Sequence, residues 1–403
     1  MKCLRLLTAV LLFAAVACST QTALNAQELP WSVRAANSAM ERWPGGNLHA
    51  GAPAAWTHDL AALLAGMQGL WLQTADPRDL NYIRSSVDPL VGADGSLSTM
   101  KPEEHKLTDY QLGRQLLLLY RVTHDQRYRK AATLLYEQLS HQQPRTPSGG
   151  LWQSQANPDQ MTPDGIDEAA PFYAAYAHDF HHPEAFADVT RQFVLLQEHA
   201  RDPRTGLMHQ GWDESKKERW ADKQTGRSQV AWGRGMGWYM AALVEALPSY
   251  PANDPGRKQL IEILNSDAAA LARYQDAGTG LWFQVIDKAG EPDNFHEASA
   301  SCLFVYALAD GVRHGYLPAH YLVNAERGYK GILSHFISVG PGDSVSVTGT
   351  VGATDLGGNP YHDGSYAFYT GEKTVINDPK GVGLFILASL EVESAHHAKP
   401  AHR

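Results

Sequence analysis

The sequence predicts an all-α protein whose helices pack as one ring. Apolar residues recur at helical spacing along nearly the whole chain, for example Leu60, Leu63, Leu64, Met67 and Trp71. Strand alternation is confined to the short segments 281–285 and 344–350, which we expect to be β-hairpins in loops. No Pro-, Ser- or Gly-rich linker divides the helices into groups. We therefore expect a single domain over residues 27–395, followed by a polar tail over 396–403.

Helical patterns occupy twelve segments of the chain. They cover residues 30–43, 55–73, 78–90, 107–122, 126–142, 166–178, 184–200, 229–248, 256–275, 297–314, 318–336 and 379–393. Consecutive pairs of helices bury their apolar faces if they close into a ring with an inner apolar layer and an outer amphipathic layer. The ends of the inner helices then surround a funnel. The long irregular stretches 142–165 and 339–378 exceed ordinary loop lengths of about 4–6 residues, so we expect them to line this funnel.

The first 18 residues have the pattern of an export signal. Lys2 and Arg5 precede an apolar run over residues 6–17, which is too short to span a bilayer comfortably. The small residues 15–17 before Cys18 resemble a bacterial lipoprotein processing site. Lipidation at Cys18 and cleavage a few residues later both fit this pattern. We expect an exported protein, either periplasmic or anchored to the outer membrane as a lipoprotein.

Composition restricts the possible partners. The 403 residues contain 34 Lys and Arg against 43 Asp and Glu, which gives a net charge of −9 and argues against binding to nucleic acid or to an anionic membrane surface. The 10 Trp and 17 Tyr residues favour a carbohydrate ligand, because aromatic rings stack on flat ligands. The chain has no Walker loop, GxSxG, CxxC or HExxH motif, and the histidines of segment 178–182 are better explained as a solvated loop. We expect neither a metal nor an organic cofactor.

Two candidate stretches each contain an acid near a helix. In segment 107–114, Asp109 stands in the first turn of an apolar helix, where an acid alone is explained by the helix dipole. In segment 160–165, Asp164 precedes a helix, and Asp-Gly is also a common turn pair. Neither acid is by itself evidence of catalysis.

Two further stretches combine polar and aromatic groups. Segment 205–215 brings titratable, amide and aromatic side chains into one loop. Segment 232–239 places one Arg and two Trp among three Gly at the start of an amphipathic helix. Because each glycine costs about 1 kcal/mol in a helix interior, three of them require a compensating reason, such as the close approach of a backbone or a ligand.

Together with other short motifs, these stretches resemble glycoside hydrolase family 105, which is related to family 88. The matching motifs lie at residues 107–114, 144–150, 160–165, 211–215, 232–239, 297–301 and 377–383. Their order and spacing run through nearly all of the mature chain. The resemblance implies an (α/α)6 barrel and a hydrolase that acts on unsaturated uronyl oligosaccharides, the acidic products of polysaccharide lyases.

The resemblance also implies the reaction and its acids. An acid protonates C4 of a 4-deoxy uronic acid with a C4=C5 double bond, water adds at C5, and the hemiketal opens and expels the neighbouring sugar. By position, Asp164 matches the catalytic acid that later acts as base toward water. Asp109 matches a second acid that holds the substrate and influences the protonation of Asp164. The anomeric carbon is not attacked, so carboxylate separation does not predict the stereochemistry.

Three residues match the substrate contacts of the family, and other positions depart from its pattern. Trp232, Arg234 and Trp238 are expected at the sugar, with an Arg fork on the uronate carboxylate. Gln210 and Gln153 stand where the family has histidines, which removes two groups that titrate near neutrality.

The loop around Gln210 contributes two more expected substrate-binding residues. His209 directly precedes Gln210, and Trp212 lies two residues after Gln210. His209 points into the site if the loop shifts by one residue, and otherwise has a surface or packing role.

The leading substrate is unsaturated galacturonyl-rhamnose from rhamnogalacturonan. An unsaturated glucuronyl substrate from ulvan or another acidic polysaccharide is the alternative. A glycan-binding lipoprotein that lost the chemistry is a second alternative, against which the retention of Asp109 and Asp164 argues. A barrel with another activity, such as a sugar epimerase, would not explain the ordered motifs.

Overall fold

A computed structural model describes residues 29–49, 51–352 and 355–398, and most of this length is helical. The described helices are α1 (Trp31–Arg42), α2 (His58–Thr74), α3 (Pro77–Val87), α4 (Leu112–Thr123), α5 (Gln126–Glu137), α6 (Pro163–Phe180), α7 (Ala185–His199), α8 (Gly233–Ala246), α9 (Pro255–Ala272), α10 (Ala298–Arg313), α11 (Tyr321–Phe336), α12 (Tyr366–Gly371) and α13 (Pro379–Ala398). Apart from the short α12, each helix corresponds to one of the twelve predicted segments. The all-α prediction is confirmed.

The helices form two layers that alternate along the chain. Helices α2, α4, α6, α8, α10 and α13 make the inner ring, and α13 closes it by packing against α2. Helices α1, α3, α5, α7, α9 and α11 lie outside this ring. The inner helices carry large side chains that are fully buried, such as Phe172, Tyr239, Phe304 and Phe385. The arrangement is the (α/α)6 barrel that the resemblance implied.

Several helices begin or end elsewhere than the sequence predicted. Helix α6 begins at Pro163, not at 166, because the Thr162 hydroxyl caps its first turn by accepting a hydrogen bond from the Gly165 amide at 3.0 Å. Asp164 therefore lies inside the first turn. The predicted helix 107–122 is divided into a 3-10 turn, Leu107–Gln111, and α4.

The last helix is longer than predicted. Helix α13 continues to Ala398, beyond residue 393 and into the predicted tail 396–403. The export signal with Cys18 and the tail residues 399–403 lie outside the described residues. Among the helices that the structure describes, none is long and apolar enough to cross a membrane.

Short antiparallel strand pairs occupy the loops. They are β1 (Gln160–Met161) with β2 (Trp212–Asp213), β3 (Ile337–Val339) with β4 (Val345–Val347), and β5 (Thr350–Val351) with β6 (Thr374–Val375). The strand structure expected over 344–350 is confirmed, whereas segment 281–285 is not a hairpin and makes only isolated bridges. The unexpected β1–β2 pair brings the loop before α6 against the loop before α8.

Candidate active site

The N-terminal ends of four inner helices, α2, α6, α8 and α13, line a cavity of about 460 Å³. Its wall includes His58 at the start of α2, Asp164 in α6, Arg234 in α8 and Lys380 in α13. Helix N-termini carry unpaired backbone N–H groups and partial positive charge, so their convergence favours an anionic ligand.

Asp164 occupies the cavity wall at the first turn of α6. Nε2 of Gln210 donates a hydrogen bond to Oδ2 of Asp164 at 2.6 Å. Removal from solvent raises the pKa of Asp164 to about 6, although the Gln210 hydrogen bond and the charge of Arg234 act in the opposite direction. A carboxyl with this pKa holds a proton in mildly acidic solution and releases it near neutrality, as a group that serves first as acid and then as base requires.

A second buried carboxyl, Glu168, lines the same cavity one helical turn after Asp164. It accepts hydrogen bonds from Oγ1 of Thr108 at 2.8 Å and from Nε2 of Gln153 at 2.6 Å. Burial is the main cause that raises the pKa of Glu168 well above its usual range. The sequence interpretation missed this residue, although its i+4 spacing from Asp164 predicts that both lie on one helix face.

Trp232 and Arg234, which the sequence analysis expected at the sugar, both line the cavity. They also contact each other. The Trp232 ring stacks on Tyr369 with centroids 5.3 Å apart, and the Arg234 guanidinium lies 4.7 Å from the Trp232 ring centroid. Nη1 of Arg234 donates to the Val351 carbonyl at 2.5 Å, and Nη2 donates to the Gly352 carbonyl. Arg234 therefore anchors the loop at 351–352 at the cavity wall.

His58 and Lys380 are further cavity residues that sequence reasoning missed. Burial, with the charges of Lys380 and Arg234, lowers the pKa of His58 to about 4, so its imidazole is neutral. Nζ of Lys380 is buried and lies 2.9 Å from Oδ1 of Asp378 and 3.0 Å from Oδ1 of Asp59. Lys380 lies in the matching motif 377–383, but the motif assigned it no role. Nothing in the sequence singled out His58.

Two expected site residues lie behind or beside the cavity wall. Asp109 is in the 3-10 turn before α4; its neighbours Lys106 and Thr108 line the cavity, and Asp109 does not. Burial raises the pKa of Asp109 to about 6, but its role as second acid stays a prediction. Trp238 is buried and packs edge-on against His58, with ring centroids 5.0 Å apart.

The remaining two expected residues face other parts of the molecule. Nδ1 of His209 lies 2.6 Å from the Ser228 carbonyl, and this imidazole does not line the Asp164 cavity. Trp212 stacks on His199 at 4.0 Å and borders a separate open cleft of about 680 Å³. The structure thus brings Gln153, Asp164, Gln210, Trp232 and Arg234 together, while His209 and Trp212 point away.

The described residues contain no group of three or more His, Cys, Asp and Glu side chains placed to hold a metal ion. The acids of the cavity are instead engaged by amides, hydroxyls and Lys380, as the contacts of Asp164, Glu168 and Asp378 show.

Comparison with known proteins gives consistent matches. Residues 31–396 match the model of Glycosyl Hydrolase Family 88. A solved family 105 glycoside hydrolase from C. acetobutylicum is 35% identical, and the match covers 91% of this chain and 100% of that one with a TM-score of 0.86. Protein Atu3128 of Agrobacterium fabrum is 34% identical over 227 residues, which are 55% of this chain and 96% of that protein. The unsaturated rhamnogalacturonyl hydrolase YesR of Bacillus subtilis is 30% identical over 203 residues, which are 49% of this chain and 56% of that protein.

Proposed function

Because the chain belongs to the glycoside hydrolases of the family 88 and 105 group, we propose that it hydrates the C4=C5 double bond of unsaturated uronyl oligosaccharides. Asp164 is the acid and base of this reaction, Trp232 supports the cavity wall, and Gln210 holds the Asp164 carboxyl in place. The observation that carries the proposal is Asp164 itself. Its pKa is raised to about 6 at the point where the inner helix N-termini converge.

The chemistry needs one carboxyl that first gives and then takes a proton. Asp164 transfers its proton to C4, and the oxygen of a water molecule bonds to C5. The water proton returns to the Asp164 carboxylate, which restores the starting state. The C5 hemiketal then opens: the bond between C5 and the ring oxygen breaks, C5 becomes a ketone, and the proton of its hydroxyl passes to the ring oxygen. This leaves a hemiacetal at C1, which becomes an aldehyde as the bond to the neighbouring sugar breaks and the hydroxyl proton passes to that sugar, which leaves as an alcohol.

The uronate carboxylate provides the binding energy that orients this ring. Cationic Arg234 and Lys106 line the cavity, and the helix N-termini add partial positive charge. Trp232 packs its buried ring beside the Arg234 guanidinium and so supports this cation at the cavity wall.

Unsaturated galacturonyl-rhamnose is the substrate that we propose first. The similarity to YesR, which is named an unsaturated rhamnogalacturonyl hydrolase, supports it, whereas an unsaturated glucuronyl substrate from ulvan or another acidic polysaccharide is the alternative. Gln153 donates a hydrogen bond to Glu168, and Gln210 donates one to Asp164. Because both side chains are amides, neither supplies a group that titrates near neutrality for sugar recognition.

A panel of unsaturated disaccharides tests this proposal. The purified protein is incubated with galacturonyl-rhamnose and glucuronyl substrates, and the loss of ultraviolet absorbance from the C4=C5 bond is followed. We expect the highest kcat/KM on galacturonyl-rhamnose. Preference for the glucuronyl series would select the alternative, and absence of turnover on every unsaturated uronide would refute the function.

Export is a separate proposal that depends on residues 1–18 alone. We propose that the chain leaves the cytoplasm and that Cys18 accepts a lipid. Mass spectrometry of the membrane-associated mature protein, with Cys18→Ala as the comparison, checks both steps. A mature N-terminus beyond residue 18 that carries no lipid would support export and would refute the lipid anchor at Cys18.

A further inference from the structure

An open cleft of about 680 Å³ lies against β2, and we call it the Trp212 cleft. Its lining residues come mainly from the last turn of α7 and from segments 201–203, 212–216 and 224–227, and none of them lines the Asp164 cavity. Trp212, which the sequence analysis expected at the sugar, belongs to this second wall. The proposed reaction therefore leaves a motif residue, and a cleft larger than the catalytic cavity, without a role.

The Trp212 cleft is rich in cations, although the whole chain has a net charge of −9. Three basic side chains line it against two acidic ones; they are Arg201, Lys216, Arg227, Glu198 and Glu214. Both oxygens of the Glu214 carboxylate accept hydrogen bonds from Ser148, at 2.6 and 3.1 Å. Because one of the two acids is engaged in this way, the wall attracts an anionic group.

Two of these cations have no carboxylate partner. Nη1 of Arg227 donates a hydrogen bond to the Arg201 carbonyl at 2.7 Å. Arg201 is paired with Asp267 at 3.7 Å, whereas Arg227 forms no ion pair within the described residues. Lys216 also lacks an ion pair in that part of the chain, and its Nζ donates to the Gln224 carbonyl at 2.6 Å. A uronate would supply the carboxylate that both cations lack.

Two stacked rings lie in the same wall. The imidazole of His199 lies parallel to the indole of Trp212, with ring centroids 4.0 Å apart and an interplanar angle of 7°. Trp212 is buried and His199 is partly exposed, so the indole supports the imidazole. A ring that is fixed in this way offers a flat surface on which a sugar ring can pack.

Two buried polar atoms of the wall lack a hydrogen-bond partner among the described residues. They are Nε1 of Trp212, which is a donor, and Oε1 of Gln197, which is an acceptor. The Gln197 amide is held from its other side, because its Nε2 donates to Oδ1 of Asp267 at 3.3 Å. Buried polar groups are normally paired, and sugar hydroxyls can both donate and accept. The cleft thus combines cationic, aromatic and polar groups that together fit an acidic sugar.

The loop 213–227 is held in shape by its own contacts. Asp213 accepts hydrogen bonds from the backbone amides of Ser215 and Glu218, at 2.9 and 2.8 Å. Gly226 has a φ of +80°, and a Cβ at this position would lie 2.3 Å from the Asp213 carbonyl oxygen, so the turn requires glycine. A wall that is already ordered loses little conformational freedom when a ligand binds.

We propose that the Trp212 cleft is a second glycan site, which binds a saturated uronate within an acidic polysaccharide. The carboxylate pairs with Arg227 and Lys216, and the sugar ring packs on His199. The choice of a uronate rests on the proposed function, because a lyase that creates an unsaturated end leaves the other uronates of the polymer saturated. A protein held on the polymer in this way meets new chain ends at a raised local concentration.

Isothermal titration with saturated trigalacturonate tests the site, since this ligand has no C4=C5 bond to hydrate. We expect the wild type to bind it with a Kd that rises with salt. In Arg227→Met the Kd should rise by about tenfold or more, because a hydrogen bond to a charged group is lost.

Two further ligands separate charge from sugar. The methyl ester of trigalacturonate has the rings without the charge, and citrate has carboxylates without the rings. Both should bind more weakly than trigalacturonate. Citrate binding with equal affinity would overturn the glycan site, and equal affinity for the ester would overturn the role of the cations.

Arg204→Met is the matched control variant. Arg204 is exposed, pairs with Asp202 and does not line the cleft, although it lies close to it in the sequence. The substitution removes the same charge, so we expect the wild-type Kd. An equal loss of affinity in Arg204→Met and Arg227→Met would show only the general charge of this surface and would overturn the inference. If Arg227→Met does not fold, as judged by its Tm, Lys216→Met removes the other unpaired cation from an exposed position.

Hydrogen exchange locates the ligand and separates this inference from the proposed function. Trigalacturonate should slow the exchange of backbone amides in segments 197–201 and 212–227, and leave residues 232–236 at the Asp164 cavity unchanged. Protection at 232–236 alone would overturn the glycan site. A protected cleft in a protein that turns over no unsaturated uronide would support the glycan site and refute the proposed function. Turnover of an unsaturated uronide without protection of the cleft would support the function and overturn the glycan site.

Discussion

Gln210 donates a hydrogen bond to Asp164 across the mouth of the barrel, with Nε2 and Oδ2 2.6 Å apart. The β1–β2 pair beside Asp164 holds the two loops together and so fixes this contact. An amide at this position orients the carboxyl without titrating, so the pH response of the site depends on carboxyl groups.

Replacing Gln210 with Leu should move the pH profile of the reaction to higher pH. The Gln210 hydrogen bond lowers the pKa of Asp164, so its loss raises that pKa further above the ordinary value. Activity that needs the protonated acid is lost as pH rises through this pKa. A hydrogen bond to a charged group is worth about 1.5–3 kcal/mol, so we expect the alkaline limb of kcat to shift upward by about one to two pH units. An unmoved limb would show that Gln210 does not act on Asp164.

Replacing His209 with Gln should leave the pH profile and the ranking of substrates unchanged. Its Nδ1 is bound to the Ser228 carbonyl, and burial lowers the pKa of His209, so it is neutral and faces away from the cavity. Loss of a neutral-pH limb in kcat/KM would indicate that His209 enters the site during turnover.

Arg234→Lys should weaken substrate binding. Arg234 holds two carbonyls at 351–352, and a Lys offers a point charge that does not reproduce this planar geometry. Leaving a buried carbonyl unsatisfied costs roughly 1–3 kcal/mol, so we expect KM for the uronide to rise about tenfold and Tm to fall. Arg121→Lys at the exposed Asp179 pair is the control, and it should change neither quantity. Unaltered KM in Arg234→Lys would remove this residue from the binding site.

Gly383→Ala should destabilise the closure of the barrel. A Cβ at Gly383 of α13 would lie 2.2 Å from the carbonyl oxygen of Ala62 in α2, so the two helix backbones would have to separate. Overpacking of this kind costs roughly 1–3 kcal/mol, measured as the free energy of unfolding in denaturant. Gly371→Ala, where a Cβ meets nothing within 4 Å, is the matched control. Equal stability of the two variants would contradict the close approach of α2 and α13.

The helices could be predicted because their apolar spacing reports packing directly, and the twelve segments all form helices. The boundaries of the helices could not be predicted in this way, because capping residues and loop contacts determine where each helix begins and ends. The Thr162 hydroxyl extends α6 back to Pro163 and places Asp164 in a helix instead of a turn. Segment 281–285 alternates as a strand does, yet a bridge from Val285 to Trp232 holds it at the barrel mouth.

Motif position indicated which segments come near the cavity, but it did not give the orientation of each side chain, which packing decides. Asp164 and Gln210 meet as their motifs implied. Trp238 faces His58 and Trp212 faces His199, and neither orientation can be read from loop or helix position. Glu168 was overlooked because an acid on a buried helix face is recognisable only when its partners Thr108 and Gln153 are known.

The most direct test of the account is the turnover of Asp164→Asn on the best unsaturated disaccharide of the panel. Asn retains the shape of the side chain and cannot give C4 an acidic proton. We expect kcat to fall by about 10²–10⁴-fold, as the loss of general acid–base catalysis typically requires, while Tm changes little. Turnover of Asp164→Asn near the wild-type level, in protein that melts at the wild-type temperature, would show that Asp164 is not the acid of this reaction.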